Sequence, residues 1–179
     1  SNESRPIEDM QTLRKILENL IVLSLSQEEL MLEVRNTYKG SPKFVQIIRK
    51  QARLRENSEI IKDSLYALSK RVLQIQSTIN KEISSINSNI EKAIKKLELR
   101  DINNATKRQQ FVMTSTNNLA LLLSEILEQM QKELDSPPSK CNKPKNCNKP
   151  NPNCSKPSMS ELKKAQKKLN EKINKAKKG

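Results

Sequence analysis

The sequence predicts an all-α protein in which long antiparallel helices form a bundle or a coiled coil. Only two of the 179 residues are glycine, and neither glycine nor proline interrupts residues 43–136. Leucine and isoleucine recur at steps of three, four and seven residues, which places them on one face of a helix. Two glycines cannot supply the turns of a many-stranded sheet, so the helical interpretation has no competitor among the sheet folds.

The first helical pattern ends at the segment Gly40, Ser41 and Pro42. Gly40 is predicted to terminate the helix, with Ser41 as the cap and Pro42 as the first residue of the next helix. Ser26 and Glu29 form a capping-box pattern, which predicts either a second helix start or a bend. The apolar stripe of this helix comprises Ile7, Met10, Leu13, Leu17, Leu20, Ile21, Leu30, Met31 and Val34.

The second pattern follows Pro42 and runs to Leu97. One continuous helix over this stretch would be about 90 Å long, at ~1.5 Å per residue. Polar residues on its apolar face, namely Gln51, Ser58 and the cluster at 77–80, mark the places where we expect a break. A second turn is predicted at residues 99–101, with Asp101 as the N-terminal cap of the last long helix.

The last long helix carries a heptad seam, in which apolar positions alternate at steps of four and three. Its members are Ile102, Ala105, Gln109, Val112, Thr116, Leu119, Leu123, Ile126, Met130 and Leu134. Long helices joined by short turns pack antiparallel at shallow angles. The predicted structural seam joins Ile61, Leu65, Leu68 and Val72 to Leu119, Leu123 and Ile126. This pattern suits one chain folded back on itself and two paired chains equally well.

The predicted bundle covers residues 4–135, and the composition changes abruptly after it. Residues 136–159 contain six prolines and no leucine, isoleucine or valine, which predicts a disordered linker. Residues 160–178 are predicted to form a short basic amphipathic helix. The net charge of the whole chain is +14, and residues 136–179 hold thirteen lysines against two glutamates.

This lysine-rich tail is a candidate contact for a polyanion. Lysines without arginine or aromatic neighbours attract phosphate by charge, but they offer neither bidentate recognition nor stacking. Acidic lipid, a surface polymer or nucleic acid would therefore be bound without selectivity. A solvated helix is an equally open interpretation. The candidate contacts are Lys163, Lys164, Lys167, Lys168, Lys172 and Lys175.

Cys141, Cys147 and Cys154 are separated by five and six residues, and the chain contains no histidine. Structural zinc sites use closer cysteine pairs and four ligands, so we predict no metal site here. A single disulfide in any of three pairings would leave one thiol over. We favour a low-complexity repeat without a fixed partner, although an oxidising compartment would make the disulfide more attractive.

No residue is predicted to be catalytic or to bind a cofactor. The absence of histidine removes the commonest general base and the Glu-x-x-His pairs of di-metal bundles. The serines lack both an activating base and a glycine elbow. The carboxylate pairs Glu28 with Glu29 and Glu125 with Glu128 are interpreted as solvated helix faces. We therefore expect a non-enzymatic protein without a small-molecule substrate.

Four stretches carry a resemblance to a known family. They are TLRKILENL at 12–20, DSLYALSKRV at 63–72, ATKRQQ at 105–110 and TSTNNLALLLSE at 114–125. Together with the Cys/Pro linker and the short last helix, they resemble the C-terminal helical region of a family of large, membrane-anchored bacterial cell-envelope proteins of unknown function. The resemblance covers most of the chain, and its motifs are surface and seam residues of helices.

The resemblance implies a segment on the periplasmic side of a membrane-anchored parent protein, and it implies no activity or cofactor. The apolar runs of the chain are far shorter than the roughly 20 residues that a bilayer requires, so the segment itself is expected to be soluble. The predicted function is interaction or scaffolding in the cell envelope, through a protein partner or self-association. The alternative is polyanion binding through residues 136–179.

Overall fold

A computed structural model of the chain describes residues 4–76 and 79–136. Within these two ranges the regular elements are all helices and no strand occurs, which confirms the predicted all-α class. The helices are α1 (Ser4–Arg35), α2 (Phe44–Ser69), α3 (Leu73–Gln76), α4 (Ile79–Glu98) and α5 (Ile102–Asp135). They belong to one compact unit that ends at Ser136. The three cysteines, the predicted linker beyond Ser136, the basic helix and its six lysines lie outside the described residues.

The four long helices run alternately up and down around a common core. Each packs beside two neighbours: α1 contacts α2 and α5, and α4 contacts the same two helices. The cross-helix hydrogen bonds show that α5 returns antiparallel to α1, since Ser24 binds Asn117 and Arg14 binds Gln131. α2 and α5 therefore occupy opposite corners of the bundle.

One cluster of aliphatic side chains fills the interior, and every long helix contributes to it. α4 is the clearest case, because its isoleucines and its leucine all face inward. Full burial of each such side chain stabilises a protein by roughly 1.5–3 kcal/mol, so this cluster is the main source of stability. The buried aliphatic residues of α4 are Ile79, Ile83, Ile86, Ile90, Ala93, Ile94 and Leu97.

The turn predicted at residues 40–42 is confirmed, although its glycine has a different role. α1 continues through Ser26 without a new start and ends at Arg35, so Gly40 is too far along the chain to terminate it. Gly40 also lacks the positive φ of a C-terminal glycine. The hydroxyl of Ser41 accepts a hydrogen bond from the backbone N–H of Lys43 at 3.2 Å. α2 begins at Phe44, its N-cap position is Lys43, and no side chain caps it, so the predicted cap at Ser41 and the predicted helix start at Pro42 are wrong.

The second long pattern breaks between α2 and α4, and the position of the break corrects part of the prediction. Gln51 and Ser58 lie inside α2 and do not interrupt it. α2 ends at Ser69 and the single turn α3 follows, while residues 77–78 lie outside the described ranges. In this connection Arg71 Nε donates to Asp9 Oδ1 at 2.7 Å, which ties the connection to the first turns of α1.

The turn between α4 and α5 confirms the predicted cap at Asp101. Its carboxylate accepts hydrogen bonds from the side chain and the backbone N–H of Asn104, and these bonds, in that order, lower the pKa of Asp101. Arg100 adopts a positive φ of 53°, the left-handed conformation that ends α4. Its guanidinium lies 5.4 Å from the centroid of the Phe44 ring and donates to the carbonyl of Lys39, so the two turns at this end are joined.

Candidate functional site

A layer of three glutamines crosses the apolar interior. Gln27 of α1, Gln51 of α2 and Gln109 of α5 are fully buried. Gln27 Nε2 donates to Gln51 Oε1 at 3.0 Å, and Gln51 Nε2 donates to Gln27 Oε1 at 2.8 Å. Gln109 Nε2 donates to the same oxygen of Gln51 at 3.0 Å. Gln51 is therefore the hub of the layer.

The glutamine layer specifies how the helices are placed. A buried amide without a hydrogen-bond partner costs about 1–3 kcal/mol, so a sliding helix would pay this penalty. The layer therefore fixes the relative heights of α1, α2 and α5, in the way that single polar residues fix register in coiled coils. Among the described side chains, Gln109 Oε1 is the buried polar atom that lacks a hydrogen-bond partner.

A second group of polar contacts lies nearer the middle of the bundle, at the edges of the core. Ser24 donates to Asn117 at 2.8 Å, between α1 and α5. Ser85 and Ser115 join α4 to α5 at 2.7 Å. These hydrogen bonds join α1 to α5 and α4 to α5, so they help to position the three helices.

α1 carries a second apolar surface, which faces solvent. We call Ile21, Val22, Leu25 and Leu32 the α1 outer face. Their exposed fractions are 54%, 58%, 58% and 48%, respectively. Beside Val22, a depression between α1 and α2 is lined by further apolar groups, including Ile60, which is 62% exposed. Contiguous exposed apolar groups mark interaction surfaces on soluble proteins more often than scattered ones do.

Charged residues flank the α1 outer face with opposite signs. Arg14 and Lys15 precede Ile21 by about two helical turns, and Glu28 and Glu29 follow it by the same distance. Lys15 also forms an ion pair with Glu18 of its own helix at 3.6 Å. Counting Glu18, the surface carries a net charge of +1 around Arg14 and Lys15, is apolar in the middle and carries −2 at Glu28 and Glu29.

The carboxylates of the described helices mostly face cations or solvent. A depression between α1 and α2 contains Glu29, Glu33, Lys50 and Arg53, and Lys50 Nζ lies 2.7 Å from Glu33 Oε2. Within residues 4–76 and 79–136, no three acidic or thiol side chains come together as metal ligands. Partial burial raises the pKa of Glu125, and the nearby charge of Glu128 raises it further.

The structure buries all seven residues of the predicted seam in one core cluster. Val72 lies in the connection that follows α2, and the other six seam residues belong to α2 and α5, which occupy opposite corners of the shared core. Three residues assigned to the apolar stripes, Ile7, Ile21 and Leu134, are exposed, so their assignment to the core is wrong. The stripe of α1 contains two faces, and residue spacing alone does not separate them.

Two features, the glutamine layer and the α1 outer face, were not predicted from the sequence. The three glutamines each occupy a position on an apolar stripe, and their recurrence in three helices is the signal that could have indicated a common layer. The outer face could have been found from the seven-residue spacing that relates Arg14, Ile21 and Glu28. A heptad spacing places residues on one helix face, and that face is separate from the buried one.

The described helices thus define an all-helical bundle with a polar layer inside and with exposed apolar residues on the outer side of α1. Comparison of the chain with family models, curated proteins and solved structures found no match. Over residues 4–76 and 79–136, no helix is both long enough and apolar enough to cross a membrane.

Proposed function

We propose that this protein is a non-enzymatic helical interaction module that binds other polypeptide through the α1 outer face. The observation that carries the proposal is the exposure of Ile21, Val22 and Leu25 on a helix whose opposite face is already buried in the core. Exposed aliphatic groups of this size are costly in water, and covering them with a protein partner removes that cost.

The interior supports a scaffolding role rather than a catalytic one. Aliphatic side chains and a layer of amides fill the space between the helices, and the amides carry no group that titrates near neutral pH. The hydrogen bonds of the amide layer favour a fixed arrangement of helices, which is what a scaffold must present to its partner.

The setting we propose follows from the sequence resemblance. A periplasmic segment of a membrane-anchored parent would hold the bundle near the cell envelope and leave α1 accessible to partners. The heptad spacing on the outer face suits a partner helix packed as in a coiled coil.

Site-specific photo-crosslinking in cells of the native host tests the interaction role. A photoreactive phenylalanine analogue replaces Leu25 in one chain and Lys92 on α4 in a matched control, since Lys92 is exposed on a polar surface. We expect a discrete polypeptide adduct, identified by mass spectrometry, from position 25 and none from position 92. No adduct from position 25, or equal adducts from both positions, would overturn the proposal.

Polyanion binding is the second candidate, and the concentration of thirteen lysines in residues 136–179 favours it. The test compares the full chain with a full-length variant in which all thirteen lysines of residues 136–179 are changed to glutamine. Binding to acidic lipid vesicles and to nucleic acid is measured at two salt concentrations, because contacts to phosphate weaken as salt rises. Equal binding by the two chains would eliminate this candidate.

A further inference from the structure

The charged residues on either side of the α1 outer face are complementary to those of a second copy that runs in the opposite direction. Arg14 and Lys15 lie seven residues before the pair Ile21 and Val22, and Glu28 and Glu29 lie seven residues after it. Seven residues are close to two helical turns, so all three pairs point to the same side of α1. Reversing the direction of the helix therefore exchanges the basic pair with the acidic pair.

Building on the proposed interaction role, we infer that the occupant of this face is α1 of a second copy of the chain, packed antiparallel about a two-fold axis at Ile21 and Val22. In this arrangement the basic pair of one protomer lies opposite Glu28 and Glu29 of the other, and the two-fold axis repeats the contact at the other end. A two-fold interface uses one self-complementary patch on both partners, which is what this pattern supplies.

The aliphatic groups fit the same axis. Ile21 and Val22 meet their own copies at the centre, where contact excludes water from both. Leu25 follows at the next turn, is more than half exposed in the single chain, and lies opposite Glu18 of the other protomer, whose carboxylate is paired with Lys15 of its own helix. Ile60 on α2 borders Val22 in the same depression and extends the apolar patch beyond α1.

The alternative parallel pairing of two α1 helices is disfavoured by charge. In parallel register, Arg14 and Lys15 would face their own copies, and Glu28 and Glu29 would do the same. Like charges placed opposite each other oppose association, and salt would relieve that repulsion. The antiparallel dimer must instead weaken as salt rises, so the salt dependence distinguishes the two orientations.

The size of the surface sets the expected strength of the dimer. An interface made by one helix from each protomer, with a few residues of α2, buries an area at the small end of the range for specific interfaces. We therefore expect a monomer–dimer equilibrium that dilution can reverse, rather than a permanent dimer.

Sedimentation equilibrium of the purified full chain tests this inference. Two variants are compared with the unmodified chain: Arg14→Glu with Lys15→Glu, which makes both ends acidic, and Glu28→Lys with Glu29→Lys, which makes both ends basic. Each variant alone should dimerise at least roughly tenfold more weakly, since every cross-protomer pair becomes repulsive. An equimolar mixture of the two variants should recover the dimer, because acidic ends then face basic ends.

Circular dichroism provides the folding control, since the four substituted residues lie on the surface of α1 and outside the core cluster. An unmodified chain that stays monomeric at every concentration would overturn the dimer, and so would a dimer that is unchanged by the charge reversals or stabilised by salt. A monomeric chain that still forms an adduct with another polypeptide from position 25 overturns the dimer but keeps the interaction role. Loss of both results overturns both proposals.

Discussion

α1 and α4 pack in the same core, yet they use their aliphatic residues differently. Every isoleucine and leucine of α4 is buried, and apart from the buried Ala93 the rest of that helix is polar. α1 buries a comparable set of side chains and in addition exposes Ile7, Ile21, Val22, Leu25 and Leu32. α4 has one apolar face, as a helix with a purely structural role requires, whereas α1 has two.

Under the proposed interaction role, this difference separates the residues that stabilise the protein from those that would bind a partner. The inner face of α1 and the whole apolar face of α4 stabilise the bundle. The outer face of α1 adds nothing to the core, so changes there can alter association without unfolding the protein. The same helix also brings Gln27 into the polar layer, whereas the interior surface of α4 is aliphatic.

The difference between buried and exposed aliphatic residues is tested most directly by substituting aspartate for a leucine of each class. Leu68→Asp or Leu123→Asp puts a carboxylate where the side chain is fully buried. We expect each to lower the free energy of unfolding by about 4 kcal/mol or more, because an unpaired charge in an apolar core is costly. Thermal melting followed by circular dichroism measures the loss.

The matched control is Leu25→Asp on the α1 outer face, measured in dilute solution. Exposed substitutions of this kind change stability by about 0.5 kcal/mol or less. If Leu68→Asp and Leu123→Asp melted like the unmodified chain, the assignment of these residues to the core would be wrong.

The second largest effect should come from the glutamine layer, in which α1 takes part and α4 does not. Gln51→Leu removes the hub and leaves the amides of both Gln27 and Gln109 without partners. We expect a loss of about 2–3 kcal/mol in urea unfolding, since buried unpaired amides carry their full desolvation cost.

Gln109→Leu is the informative comparison within the layer. It removes an amide whose oxygen already lacks a partner, and Gln51 Oε1 still accepts a hydrogen bond from Gln27. The unfolding free energy should therefore change by about 1 kcal/mol or less, in either direction. Equal losses for Gln51→Leu and Gln109→Leu would contradict the role of Gln51 as the hub.

Local chemistry explains which parts of the fold were predictable. Ser41 with Pro42 and the cap at Asp101 are signals within a few residues, and the structure has turns at both places. The break after Ser69 was misplaced because neither glycine nor proline marks it. There the chain is held by a distant contact, Arg71 with Asp9, which no local pattern reveals.

Periodicity predicts which side of a helix is apolar, but it does not identify the neighbour that covers it. Leu68 and Leu123 were placed on apolar stripes correctly, whereas the corner arrangement of α2 and α5 depends on all four long helices together. Ile21 was misassigned because it follows the helical spacing of the core stripe and also belongs to the heptad on the outer face. The glutamine layer likewise requires the relative heights of three helices, which only tertiary packing determines.

Two ion pairs, one involving α1 and the other involving α4, allow the same comparison of buried and exposed residues with a smaller expected effect on stability. The Asp9 side chain is largely buried beside Arg71, whereas Glu91 of α4 and Arg55 are both about half exposed at 3.3 Å. Asp9→Asn should cost about 1 kcal/mol, since a charged hydrogen bond is weakened. Glu91→Gln should change stability by a few tenths of a kcal/mol at most, because water screens exposed pairs. Equal effects in thermal melts would contradict this difference in burial.

The smallest effect concerns α5, which packs beside both α1 and α4. Partial burial, followed by the charge of Glu128, raises the pKa of Glu125. The folded state therefore holds the Glu125 proton more tightly than the unfolded state, and stability falls as pH rises through this raised pKa. Glu125→Gln should melt slightly higher than the unmodified chain at neutral pH, and the gap should close as the pH falls. Because burial is the larger cause, Glu128→Gln should lower the pKa of Glu125 only partway in an NMR titration, and full restoration would show that charge repulsion dominates.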